Sequence, residues 1–484
     1  MTRRTVAAAL AALATVAGCP CAPAPPPAPP KRVRPAAAAG QFYPGDAAAL
    51  AAQVRGFFEG TRRLVERPVR IVLAPHAGLV YSGAIAATAL RQLEPGFERA
   101  VVVAANHDGR SPLRGFSVDT PTHYAVPGLE VPVAAAARAL AARPGAAVAP
   151  GAHGTHVVEI QLPFLREANG GRPFELVPVV VGELDYDGVR ALAAELAALD
   201  DPKTVFVFSV DLSHYNPYEK AVALDRPCLD ALVRMDARDF VRCDTDGTQV
   251  LAVMAELGAL LGTTPRLLAY RNSGDVAGDR ERVVGYGALA FEDGVRLTAD
   301  ERGALLSLAR ASLGRAVKDG VPADVPADVA FRFPRLRANG AAFVTLKARG
   351  QLRGCIGSLV ARQPLLHDVA QHALDAALRD GRFDPVRREE LGGIRLSISV
   401  LDAPRPLALS GAALLERLAE TRPGIVLEHD GRSSTFLPAV WEQIPDPAQF
   451  LAALCEKQGS PPTCWTRPST RFQSYGAQEF AEGG

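Results

Sequence analysis

Three stretches of the chain share one pattern: an apolar, β-branched run that stops abruptly at polar residues able to bind a metal. They are RIVLAPHAG (70–78), RAVVVAANHDG (99–109) and TVFVFSVDLSH (204–214). A short apolar run without polar alternation reads as a strand buried on both faces, and so as part of a parallel sheet. Ligands of open α/β sheets gather beyond the carboxyl ends of such strands. The pattern therefore places His76, His107, Asp211 and His214 along one rim of one sheet, as a metal or acid–base site requires.

Between these runs the chain alternates. Residues 47–58, 82–93, 131–142, 187–198, 228–235 and 248–261 read as Ala/Leu-rich helices, and 174–181, 266–270 and 283–291 as further strands. The alternation predicts an α/β domain over residues 38–293 with a largely parallel sheet flanked by helices. Beyond residue 295 the grammar changes. Thr298 with Glu301 forms a capping signature before a helix reaching residue 313. Strand-like runs at 341–348 and 352–359 flank the turn Arg349-Gly350-Gln351, and 364–378 is an amphipathic helix. Residues 394–401 alternate as a strand does, and 425–429 and 433–437 flank Asp430-Gly431, a hairpin signal. Segregated strands and helices make 295–484 an α+β domain.

The amino terminus has a different character. Arg3 and Arg4 precede a short apolar run, 5–16, and then Val16-Ala17-Gly18-Cys19. Small residues before a cysteine resemble a bacterial lipoprotein signal over 1–19, with Cys19 lipidated and the mature chain exported and anchored to a membrane. The alternatives are an ordinary secretion signal, or a misassigned start that leaves the protein cytoplasmic. Residues 20–37 are Pro-rich, an extended linker rather than a fold.

Composition narrows little else. Hydrophobic content is 48%, charged content 22% and net charge +1, so no electrostatic argument favours nucleic acid. The seven cysteines include no CxxC pair.

Within the α/β domain, His76 and His107 sit at matching strand ends in APHAG and ANHDG, where a tight turn lets a side chain face a cleft. Asp211 and His214 share one face if a turn begins there, and His214 can then act as acid or base with Asp211 orienting it; capping of a helix by Asp211 or Ser213 is the other reading. His156 and Glu159 repeat the spacing in HVVEIQLPF, either as a pair supporting the site or with Glu159 as a first-turn carboxylate.

Six motifs, AGQFYP (39–44), APHAGLVYSG, ANHDG, HVVEIQLPFL, SVDLSHY and VVGYGALAF, follow one another in the order of the MEMO family, which is related to class III extradiol dioxygenases. The resemblance covers residues 34–292. It implies metal ligands His76, His107 and Cys243, with His214 as catalytic histidine beside Asp211, and iron or copper, with zinc compatible, as the metal. Two departures stand out: Ala104-Ala105 replaces a Gly-Pro, and Cys243-Asp244-Thr245-Asp246-Gly247-Thr248 stands where the family has Cys-Gly-x-x-Pro-Ile.

The second domain, through FVTLKARGQLRGCIGSL (343–359), RDGRFDPV (379–386), IRLSISVL and FLAALCEKQG, resembles the AMMECR type, with Arg353, Cys355, Asp380 and Arg382 as site candidates. Cys355 lies in a strand, two residues from Arg353 and on the same face. The two domains together resemble components of the AmmeMemoRadiSam system, which implies a radical SAM partner; the chain itself has no CxxxCxxC motif. The resulting expectation is a metal-dependent, dioxygenase-like oxidoreductase of unknown substrate. The alternative is a non-catalytic metal- or peptide-binding or scaffold protein acting with that partner.

Overall fold

A computed structural model describes residues 30–108, 112–235, 240, 242–294, 296–407 and 409–483. The signal-like segment, most of the Pro-rich linker and most of residues 236–241 lie outside the described residues.

The α/β unit is built on a nine-stranded sheet. Its centre is four parallel strands in the order Val69–Ala74, Thr204–Ser209, Arg99–Ala105, Glu175–Val181. Apart from Arg70, Arg99 and Glu175 at their amino ends, all residues of these strands are buried, as unbroken apolar runs demand. Val283–Asp293 pairs antiparallel with Val69–Ala74, and Thr263–Asn272 pairs antiparallel with Val283–Asp293. The three runs singled out in the sequence are thus adjacent strands, with Thr204–Ser209 between the other two. Their carboxyl ends open on one rim.

Helix boundaries follow local chemistry. Asp46 caps Ala47–Glu59 by accepting the Ala49 amide. Gly78 opens Leu79–Leu90 immediately after the APHA turn, three residues before the helix expected from periodicity. Residues 131–142 are not one helix: Val131 and Pro132 finish the strand Leu129–Pro132, paired with His123–Val126, and the helix begins only at Ala135. The Val-Pro-Val sequence suits an extended chain and disfavours a helical turn there. The helix expected at 228–235 runs further, Tyr218–Arg234, with Pro227 inside it.

The second unit has two lobes with separate cores. In the first, Gln351–Gly357, Ala342–Ala348, Ile394–Leu401 and Ala477–Ala481 form an antiparallel sheet packed by Ala299–Asp319 and Leu365–Leu378. Thr298 and Glu301 make the reciprocal capping box read from the sequence. In the second lobe, Gly424–His429 and Arg432–Phe436 form the hairpin around Asp430-Gly431, both with positive φ as a tight hairpin turn requires. A disulfide joins Cys455 and Cys464 there.

The units are joined by more than the chain. Arg337 of the second unit pairs with Glu256 on the helix Thr248–Leu260, and the Tyr186 hydroxyl donates to the same carboxylate at 3.0 Å. Phe331 packs on the Tyr186 ring, and Ala338 belongs to the core of the α/β unit.

Candidate functional site

The rim brings together three donor atoms from three segments. His76 follows Val69–Ala74, His107 follows Arg99–Ala105, and Asp246 precedes the helix Thr248–Leu260. Asp246 Oδ2 lies 2.9 Å from His76 Nε2 and 3.2 Å from His107 Nε2, and the two Nε2 atoms are 3.3 Å apart. Ligand atoms bound at about 2.0–2.2 Å to one ion, at right-angled to tetrahedral spacing, are roughly 2.8–3.6 Å from one another. The observed triangle has those edges, so the donor set fits a single metal ion held by two imidazoles and a carboxylate.

The surroundings define the proton on His76. Ser209 donates its hydroxyl to the Val157 carbonyl at 2.7 Å and accepts from Gln161 Nε2 at 3.0 Å. Its remaining lone pair faces His76 Nδ1 at 3.1 Å, so Nδ1 is the donor and Nε2 is left to bind an ion. Gln161 also donates to the Pro75 carbonyl, tying the turn down.

Charge at the site is compensated within it. Burial works against a charge on His76, but Asp211 and Asp246 outweigh it and push the pKa up to about 9 in the metal-free site. Burial also acts against Asp246, yet the two imidazoles hold its carboxyl well below the usual range. Asp211 is 3% exposed, and burial raises its pKa although His76 opposes this. Its Oδ1 accepts the His76 amide at 2.8 Å, while its own amide donates to Asp246 Oδ1 at 3.2 Å. Asp211, His214 and Asp246 form a second group with donor atoms within 4.8 Å, sharing Asp246 with the first.

The sequence-derived candidates divide. His76, His107, Asp211 and His214 meet at the rim. Cys243 is displaced from the ligand role: its sulfur is bonded to Cys228 on the helix Tyr218–Arg234, three residues short of the carboxylate that faces the histidines. His156 forms a wall of the site, edge-on to His76 and His107 and stacked on Phe42 at 3.8 Å between ring centroids. Burial, then the charges of His76 and His107, push its pKa down to about 3, so it stays neutral. Glu159 does not partner His156. It is fully buried and anchors the amino-terminal segment, accepting the Ala37 and Ala38 amides, the Tyr43 hydroxyl and Arg34.

In the second unit the four candidates adjoin, but three hold backbone. Arg353 makes a bidentate pair with Glu390 (2.8 and 3.0 Å) and donates to the Asp384 carbonyl. Asp380 accepts the Cys355 amide at 2.8 Å, and Arg382 bridges Asp380 and the Cys355 carbonyl. Cys355 keeps a free, partly exposed thiol, which receives the Thr345 hydroxyl at 3.3 Å.

Asp246, Ser209, Gln161 and Phe42 were missed from the sequence. For Asp246 a local signal existed: a carboxylate directly before a glycine, Asp246-Gly247, at the start of an Ala/Leu-rich helical run.

Comparison with known proteins agrees with both units. The Memo-like protein family matches residues 34–290, and the AMMECR1 family matches 306–480. A MEMO1 family protein of Methanosarcina acetivorans is 32% identical over 282 residues, covering 54% of this chain and 99% of the relative. One from Aeropyrum pernix is 34% identical, covering 53% and 99%. A solved structure of an uncharacterized Pyrococcus horikoshii protein is 30% identical, covers 38% of this chain and 93% of that one, and superposes with a TM-score of 0.35. With a mixed α/β unit carrying the Memo motifs and an antiparallel unit carrying the AMMECR1 ones, the chain belongs to the Memo-like family and bears an AMMECR1 domain behind its Memo domain.

Proposed function

We propose that the Memo domain is a metal-dependent, oxidoreductase-like protein whose ion, iron(II) foremost, is held by His76, His107 and Asp246. The observation that carries this reading is the triangle of Nε2, Nε2 and Oδ2 atoms with edges of 2.9–3.3 Å, drawn from three separate segments. Two histidines and one carboxylate on one side of an ion are the donor set of non-heme iron(II) oxygenases. Bound iron would supply open positions and redox capacity toward oxygen.

The chain's own residues do the rest. Ser209 and Gln161 fix the His76 tautomer and ring orientation. Asp211 holds the turn that carries His76. His214, half-buried beside Asp211, is the proton carrier of the reading. Neutral His156 and Phe42 make a flat wall against which a substrate rests.

Export is part of the proposal. Two disulfides, Cys228–Cys243 and Cys455–Cys464, suit an oxidising compartment. Membrane attachment would come from lipidated Cys19; no described helix is long and apolar enough to cross a membrane. A direct partnership with an oxygen-sensitive radical SAM enzyme is left out of this reading.

The test is metal analysis of the chain purified without oxygen. Near-stoichiometric iron, lost in His76→Ala and Asp246→Ala but kept in Cys243→Ser, supports the site. Metal lost in Cys243→Ser and kept in Asp246→Ala overturns the ligand set. His214→Ala should keep its iron while oxygen uptake with a reductant falls; unchanged uptake argues for a passive metal holder.

A further inference from the structure

The two domains enclose a cavity of about 760 Å³ between them. Its walls include Arg67, Leu260 and Asp293 from the Memo side and Arg335, Val360 and Tyr475 from the AMMECR1 side; none of the metal-site residues lines it. We propose that this interdomain cleft binds a small amphiphilic organic anion, an apolar body bearing a carboxylate, phosphate or sulfonate group.

Charge is the first argument. Four arginines and two aspartates line the cleft. The aspartates pair with two of the arginines, Asp293 with Arg405 at 2.7 Å and Asp402 with Arg67 at 3.9 Å, which leaves Arg335 and Arg417 as the cationic excess of the lining. Arg335 is only 3% exposed. Its Nη1 donates to the Arg296 carbonyl and its Nε faces Glu301 at 3.3 Å, while Nη2 has no hydrogen-bond partner among the described residues. A buried guanidinium with an unused donor is costly to fold around, and an anionic oxygen is the partner that planar fork is shaped to bind. A cation has no comparable reason to enter.

The second argument is apolar surface left in water. Leu260 and Val360, one from each domain, line the cleft and are 45% and 56% exposed. Paired apolar walls next to a cationic interior suit a ligand with a hydrophobic body and one charged end. The space is also kept clear: Gly294 and Gly476 line it at points where a Cβ would run into Arg67 and Asp402.

The test uses the full chain and two fluorescent probes, anilinonaphthalene sulfonate and its uncharged counterpart phenylnaphthylamine. Expected is one saturable sulfonate site per chain, with the neutral probe about tenfold weaker or more. Val360→Glu, at an exposed position, should weaken the sulfonate about tenfold without moving the melting temperature, as should Arg335→Gln if it melts normally. Absence of saturable binding, binding indifferent to Val360→Glu, or equal affinity for the neutral probe would each overturn the proposal.

Discussion

Asp246 stands 2.9 Å from His76 through one carboxylate oxygen and accepts the Asp211 amide at 3.2 Å through the other. The same residue that faces the two imidazoles also fastens the turn after the Thr204–Ser209 strand. Asp246→Asn keeps the shape but removes the charge that, under the proposed function, would draw an ion in. The expected outcome is a loss of metal affinity of about 100-fold or more, read by chelator competition. Asp246→Cys should instead retain metal and turn preference toward copper(I) and zinc, because a thiolate is the softer donor. Iron retained as tightly in Asp246→Asn as in the parent chain would remove Asp246 from the ligand set.

Ser209 would act on a bound metal through His76. Removing its hydroxyl leaves Gln161 and the Val157 carbonyl short of a buried partner and frees the imidazole to change tautomer. Ser209→Ala should cost about 1–3 kcal/mol of stability and weaken metal binding about 10–100-fold. Thermal unfolding and chelator competition on one variant separate the two effects. Weakened stability with unchanged metal affinity would show that the hydroxyl only fills space.

Glu159 is a buried carboxylate serving an otherwise extended segment. Glu159→Ala strands the Ala37 and Ala38 amides and the Tyr43 hydroxyl, and leaves Arg34 to Asp119 and the Thr155 carbonyl. Charged hydrogen bonds of this sort contribute about 1.5–3 kcal/mol each, though not additively. The variant should lose on the order of 3 kcal/mol or more, and residues 34–43 should become the first point of proteolysis. Cleavage elsewhere first would mean that the segment is held by its apolar contacts.

Acid should loosen the Memo domain at His153. Burial dominates there, and although Asp119 opposes it, the pKa is pushed down from 6.5 to about 4. The folded chain therefore stays neutral at His153 where the unfolded chain takes a proton. This contribution is whole above pH 6.5 and is lost as pH falls from 6.5 toward 4, on the order of 3 kcal/mol at the bottom of that window. His153→Gln, which can still hydrogen-bond toward Ser117 and Tyr124, should flatten that limb of a stability–pH curve. An unchanged acid limb would assign it to other groups.

Reduction should act on the segment before the carboxylate. The Cys228–Cys243 bond closes a span of 15 residues, which in a chain-entropy view contributes roughly 3 kcal/mol. The double change Cys228→Ser, Cys243→Ser should lower stability by about that amount while leaving metal content intact, because neither sulfur faces the histidines. Denaturant unfolding with metal analysis checks both halves.

What the sequence disclosed follows from how directly each feature is written in local chemistry. The parallel strands are unbroken apolar runs, so their ends, and with them His76, His107, Asp211 and His214, could be placed on one rim before any coordinates. The Thr298–Glu301 box and the Asp430-Gly431 hairpin are likewise local rules. Asp246 was not legible in that way. It comes from a loop between helices, and its approach to the histidines depends on tertiary packing alone; Cys243, a nearby residue of the expected type, took its place. The Cys228–Cys243 pair was equally hidden, since a 15-residue separation matches no short spacing rule. Residues 131–142 were misread because their alanines suit a helix, while Val131 and Pro132 obey the strand beside them.

The helix Thr248–Leu260 begins two residues after Asp246 and ends at the wall of the interdomain cleft, with Glu256 gripping the second domain along its length. At 1.5 Å per residue it is a ruler about 20 Å long. The carboxylate before its first turn and the cleft wall at its last are two separate places on the molecule, held at a fixed distance by one continuous element.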